Sequence, residues 1–172
     1  ATAEHLVAKG ARHVVLVGRR PVGMADEANL ATLRSLGAQI RVIQADVSDC
    51  NEVARVLATI DAELPPLRGI VHSAGVPADA AMLQLDLSRF TQVLGPKVDG
   101  SWALHVLTKG LRLDFFVMYS SVASVFGSAG QASHAAANAF MDALAVHRRS
   151  LGLPALSISW GGWSGIGSAA DR

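Results

Sequence analysis

Polar residues in the second half of this 172-residue chain are of types that hydrogen-bond to, or exchange protons with, a bound molecule: Lys97, the pair Ser120-Ser121, His134 and Asn138. An ammonium donates only, a hydroxyl and an imidazole both donate and accept, and a carboxamide does each through a separate atom. Lys97 lies in Gly95-Pro96-Lys97-Val98-Asp99-Gly100, at the apparent start or bend of a helix. Ser120-Ser121 ends the apolar run Phe115 to Tyr119, and His134 and Asn138 stand four apart at the start of a helix, so they share a face. Singly, each has a plain structural reading, since lysines mostly solvate helix faces and serines cap helices. Together they gather at the carboxyl ends of a doubly wound sheet, where such folds bind ligands.

The elements that must position them follow from the hydrophobic pattern. Five short apolar runs, His13 to Val17, Gln39 to Ile43, Gly69 to His72, Phe115 to Tyr119 and Ala155 to Trp160, are bounded by glycine, proline or polar residues. Each reads as a buried parallel strand. Helical patterns lie between them over Ala25 to Leu36, Glu52 to Ala62, Asp86 to Thr108 with interruptions, and Ala135 to Leu151. Strand and helix in alternation predict an α/β domain with a doubly wound, Rossmann-like parallel sheet.

Ala1 to Gly10 reads as a helix with no strand before it. In a dinucleotide-binding fold this helix follows a strand and a glycine-rich turn, and its N-terminus holds the pyrophosphate. The expectation is that both lie upstream, and that residues 1–172 are the cofactor-binding part of a domain cut at both ends. Such a piece would lack a central strand and is not expected to fold alone.

The first run ends in Gly18-Arg19-Arg20. A carboxylate past the end of a fold's second strand would suit the ribose 2′-hydroxyl of NAD, whereas a guanidinium pairs with a 2′-phosphate and favours NADP. Arg19 is the expected contact and Arg20 a weaker one. Asp46, in Ala45-Asp46-Val47, could accept from an adenine amino group or cap the next helix, a task open also to Ser48 or Asp49. Ala74 and Gly75, in His72-Ser73-Ala74-Gly75, are small enough for a cofactor to cross closely. His72 itself reads as a packed strand-end residue.

Bulk properties exclude other classes. A net charge of +1 with 51% hydrophobic residues gives no reason to expect nucleic acid or an anionic membrane as a partner. No apolar run reaches the roughly 18 residues that span a bilayer. Cys50 is the single cysteine, compatible with a reducing cytoplasm.

Three segments carry a family resemblance: Leu94 to Trp102 (LGPKVDGSW), Phe116 to Ser124 (FVMYSSVAS), and Gly127 to Gln131 continuing through Ala135 to Leu144. With Ser159-Trp160-Gly161-Gly162-Trp163 near the end, they resemble the ketoreductase domain of modular polyketide synthases, within the short-chain dehydrogenase/reductase superfamily. The resemblance implies reduction of a β-ketoacyl thioester on an acyl carrier protein, with NADPH as cofactor and other synthase domains as neighbours. It implies a substrate-covering lid after Trp163. It assigns the family's lysine, serine and asparagine to Lys97, Ser121 and Asn138, and its proton-donating tyrosine to the position of His134. Tyr119, the only tyrosine, reads as core. Pro77-Ala78-Asp79, with Phe126 where one stereochemical class has tryptophan, suggests B-type ancestry; Asp79 could instead cap the next helix.

Histidine alters the expected chemistry. A tyrosine's pKa near 10 is lowered toward neutrality by a nearby ammonium, while that of a histidine, about 6.5, is pushed lower still. A neutral imidazole is a poor acid, and general acid catalysis is typically worth about 100- to 10,000-fold. The expectation is therefore an impaired reductase, or a redox-silent module with a structural or epimerising role.

Overall fold

The structure, a computed structural model, describes residues 1–162. Five strands, β1 (His13–Gly18), β2 (Gln39–Gln44), β3 (Gly69–His72), β4 (Phe115–Ser121) and β5 (Leu156–Trp160), alternate with helices. The helices are α1 (Thr2–Ala8), α2 (Met24–Ser35), α3 (Cys50–Glu63), α4 (Leu87–Leu94), α5 (Gly100–Thr108), α6 (Ala123–Phe126) and α7 (Ala132–Ser150). A π-helical turn, Gly95–Asp99, joins α4 to α5 and is the interruption expected in that stretch.

All pairings are parallel, as the apolar runs require. They form two ladders, β1-β2 and β3-β4-β5, in the α/β, Rossmann-like arrangement expected. Among the described residues no backbone ladder joins β1 to β3. Thr2 at the head of α1 instead reaches Tyr119 on β4, with 3.0 Å between their hydroxyls.

Helices cover both faces of the first ladder and one face of the second, because successive strand residues point to opposite sides. Val14 and Leu16 pack with Val7, Leu30 and Leu33 of α1 and α2, while Val15 packs with Val56 and Ile60 of α3. In the second ladder Phe116 and Met118 meet Met141, Leu144 and Ala145 of α7. Burial of such side chains is worth about 1.5–3 kcal/mol each and fixes which face of each strand packs on the helices. No described helix is long and apolar enough to cross a membrane.

Candidate active site

Lys97 sits within the π-helical turn and is only 7% exposed. Small residues let that turn lie deep. A methyl group added at Gly95 would come 3.1 Å from Ser48 Oγ, and one at Gly100 would come 3.2 Å from Val47 and 3.4 Å from the His72 ring. The turn is thus wedged between the β2–α3 loop and the end of β3.

From there Lys97 Nζ donates to the Tyr119 carbonyl at 3.1 Å and to Asn138 Oδ1 at 3.0 Å. Asn138, fully buried on α7, donates through Nδ2 to the His134 carbonyl one turn earlier at 2.7 Å. Ser120 Oγ donates to the Asn138 carbonyl at 3.4 Å, tying α7 to β4 one residue before Ser121. Ser121 ends β4 half-buried, its hydroxyl accepting from the Ala123 backbone N–H at 3.2 Å. Lys97, Asn138 and the His134 backbone thus form one hydrogen-bonded chain, with Ser121 on the strand that anchors it. His134 is half-buried.

Burial pushes the Lys97 ammonium down to about 8, partly opposed by the Asp142 carboxylate. Asp142 accepts from Ser124 Oγ at 2.7 Å and from Ser157 Oγ, pinning α7 to α6 and β5. The sequence reading assigned this aspartate no role. Its signal was spacing, since His134, Asn138 and Asp142 recur every four residues along one helix face.

Tyr119 is half-buried and edge-on to Trp160, with ring centroids 5.6 Å apart. It packs on Trp160 and supplies a carbonyl to Lys97, but it is half-buried rather than part of the core, which corrects its reading as a core residue.

At the other ladder, Arg19 Nη1 lies 3.8 Å from Asp46 Oδ2 just beyond β1 and β2. Asp46 also accepts from the Ser48 backbone N–H at 2.9 Å, whereas the cap of α3 is Asp49, which accepts from Asn51 N. Of the alternatives weighed for that cap, Asp49 takes it. Arg20 is exposed. Ala74 and Gly75 follow β3, and a methyl group at Gly75 would lie 3.2 Å from Lys97 Cε. Asp79 does not cap the next helical turn, whose cap is Ala81; it accepts instead from Gln131 Nε2 at 3.0 Å. Ala80 N donates to the Gly130 carbonyl at 2.9 Å, so the loops after β3 and before α7 are joined. Trp163 and the lid expected after it lie outside the described residues.

A nicotinamide dinucleotide fits this edge. It offers a guanidinium and a short carboxylate past β1 and β2, open space beside Gly18, where an added methyl would meet nothing within 4 Å, and small residues past β3 leading to the buried lysine.

Residues 1–165 match the KR domain family. The chain is 47% identical to the mycoketide-CoA synthase of Mycobacterium tuberculosis over 165 residues, 95% of this chain and 4% of that protein. It is 49% identical to the polyketide synthase GfsE of Streptomyces halstedii, over 95% of this chain and 4% of the relative. Among solved structures, A-type ketoreductases from a modular polyketide synthase superpose with a TM-score of 0.93 at 43% identity, over 99% of this chain and 36% of theirs. A ketoreductase domain from the bacillaene assembly line gives 0.93 at 37% identity, over 99% of this chain and 43% of its own. The chain thus spans well under half of each of these relatives. With the parallel α/β fold and the ordered polar residues on β4 and α7, these matches make the chain a member of the ketoreductase domain family of modular polyketide synthases, in the short-chain dehydrogenase/reductase superfamily.

Proposed function

We propose that this chain forms the cofactor-binding and proton-transfer part of an NADPH-dependent reductase acting on a β-ketoacyl thioester carried by an acyl carrier protein, with other synthase domains as neighbours. The observation that supports it most is the buried Lys97 ammonium held between the Tyr119 carbonyl and Asn138. An ammonium is kept in such a place, against its desolvation cost, where its charge is used.

NADPH, when bound, supplies hydride to the ketone carbon. The chain's residues then deal with the oxygen. Ser121 donates a hydrogen bond to the substrate carbonyl, and the proton that completes the alcohol comes from His134 or from water beside it. Lys97 stabilises the negative charge developing there and, with Asn138, fixes the α7 turn that carries His134. Arg19 pairs with the 2′-phosphate, exchanging its loose contact with Asp46 for a dianion. Asp46 and Val47 border the adenine, and Ala74 and Gly75 let the dinucleotide cross toward Lys97. For the alcohol configuration, similarity to ketoreductases described as A-type and A1-type, at 43% and 42% identity, weighs against the B-type reading of Asp79.

A second reading rests on His134 itself. With imidazole where the family has a phenol, the module is redox-silent and serves a structural or epimerising role. Turnover of a β-ketoacyl thioester, measured with NADPH and with NADH in the native protein and in His134→Tyr, separates the two. The reductase reading expects native turnover that prefers NADPH over NADH. No native turnover, with about 100- to 10,000-fold gain in the tyrosine variant, would establish the silent module.

A further inference from the structure

His72, at the end of β3, is 4% exposed and is used by none of the steps above. Its Nε2 lies 2.8 Å from the carbonyl oxygen of Pro96, the residue before Lys97. A carbonyl oxygen only accepts, so Nε2 carries the hydrogen and donates it. In a regular α-helix the Pro96 carbonyl would take the N–H of Gly100. Here Gly100 donates to Gly95, one residue further back, as a π turn requires. The wider turn leaves the Pro96 carbonyl facing β3, and the imidazole meets it. The ring also approaches Gly100, where an added methyl would come 3.4 Å from its Cε1. His72 therefore touches the turn on both sides of Lys97.

From this geometry we infer that His72 is a positioning residue for Lys97, holding the π turn against β3 by donating Nε2–H to the Pro96 carbonyl. The inference rests on the site reading given above, in which Lys97 is the working cation. The groups around the ammonium are the Tyr119 carbonyl from β4, Asn138 and Asp142 from α7, and His72 from β3. Burial and the Lys97 charge hold the imidazole neutral, its pKa pushed down to about 4. It therefore remains a single-tautomer donor across the working pH range, and adds no second positive charge beside the ammonium. If the turn slackens, Lys97 moves toward water, and its pKa climbs from about 8 back toward the ordinary lysine value.

The test compares His72→Gln, whose amide nitrogen reaches as far as Nε2, with His72→Met, of similar length but without a donor. Both are made in the full-length protein, with folding checked by circular dichroism. The readout is the pH midpoint of Lys97 acetylation by acetic anhydride, followed by peptide mass spectrometry, which needs no turnover and reads the same in a reductase and in a silent module. The expected result is an upward move of that midpoint by about one unit or more in the methionine variant, with Gln holding it near the native value. An unchanged midpoint in folded His72→Met, or a Gln variant displaced as far as Met, would overturn the inference. If the methionine variant does not fold, the Gln variant decides by the same midpoint. If neither folds, the imidazole tautomer of the native protein decides by nitrogen NMR: hydrogen on Nε2 supports the inference and hydrogen on Nδ1 alone overturns it.

Discussion

Past β1 and β2, Arg19 and Asp46 face each other at 3.8 Å with side chains 58% and 38% exposed, whereas beside β4 the Lys97 ammonium is almost wholly buried and bonded to Tyr119 and Asn138. Both are basic residues at the carboxyl ends of parallel strands, yet they are held in opposite ways. An exposed ion pair of that length is worth about 0–1 kcal/mol and can open cheaply, which suits a guanidinium meant to exchange one anion for another. A buried ammonium cannot drift without leaving a carbonyl and a carboxamide short of a donor, at about 1–3 kcal/mol each. Under the proposed function, the adenosine end of the cleft is adaptable and the chemical end is built beforehand.

Breaking the buried end should have the largest effect. Lys97→Met is expected to lower ketone reduction by roughly 100-fold, the lower range for losing an acid–base group, in steady-state assays on either the native or the His134→Tyr background. The same variant sharpens the contrast through pH. Because the folded Lys97 pKa lies near 8 and the ordinary lysine value is 10.5, the unfolded chain holds more protons between those values. Native stability relative to Lys97→Met therefore rises with pH across that window, by about 3 kcal/mol in all. Urea midpoints at pH 7.5 and 10.5 check the sign.

His72 gives a matching effect on the acid side. Its folded pKa of about 4 lies below the ordinary histidine value of 6.5, so the unfolded state takes up the proton first. The stability linked to its neutral form is complete above pH 6.5 and is lost as pH falls toward 4, again by about 3 kcal/mol. Acid unfolding of the native protein beside His72→Gln should show the variant less sensitive across that interval. The smallest effect on folding is expected at the rim. Arg19→Ala should raise the NADPH dissociation constant about tenfold and leave NADH binding unmoved, while stability changes by less than about 1 kcal/mol. Fluorescence titration with each cofactor measures the first and thermal unfolding the second. Equal weakening of both cofactors would remove Arg19 from the 2′-phosphate.

Much of this comparison can be read along the chain. The five apolar runs became β1 to β5 with ends shifted by at most two residues, because short apolar runs between helical patterns pair as parallel strands; the strands are half-buried rather than fully buried as expected. The four-residue spacing of His134 and Asn138 placed them on one face of α7, since helical periodicity is local. Other features were not legible. Asp142 was passed over because its partners, Ser124 and Ser157, lie 18 and 15 residues away on other elements. Asp79 was open to a capping role, and it meets Gln131 across the joined loops instead.

What the sequence determines by itself is the alternation of strand and helix, the family, and the order of Lys97, Ser121, His134 and Asn138 at strand ends and helix starts. All of these are encoded in short-range pattern and side-chain type. Only the tertiary structure decides which atoms hold Lys97. A π turn between Gly95 and Asp99, packed on Val47, Ser48 and His72 through two glycines, aims the lysine at a carbonyl 22 residues on and a carboxamide 41 residues on. Burial, long-range hydrogen bonds and the resulting shift of an ionisation equilibrium are properties of neighbours in space, and no spacing along a chain specifies them.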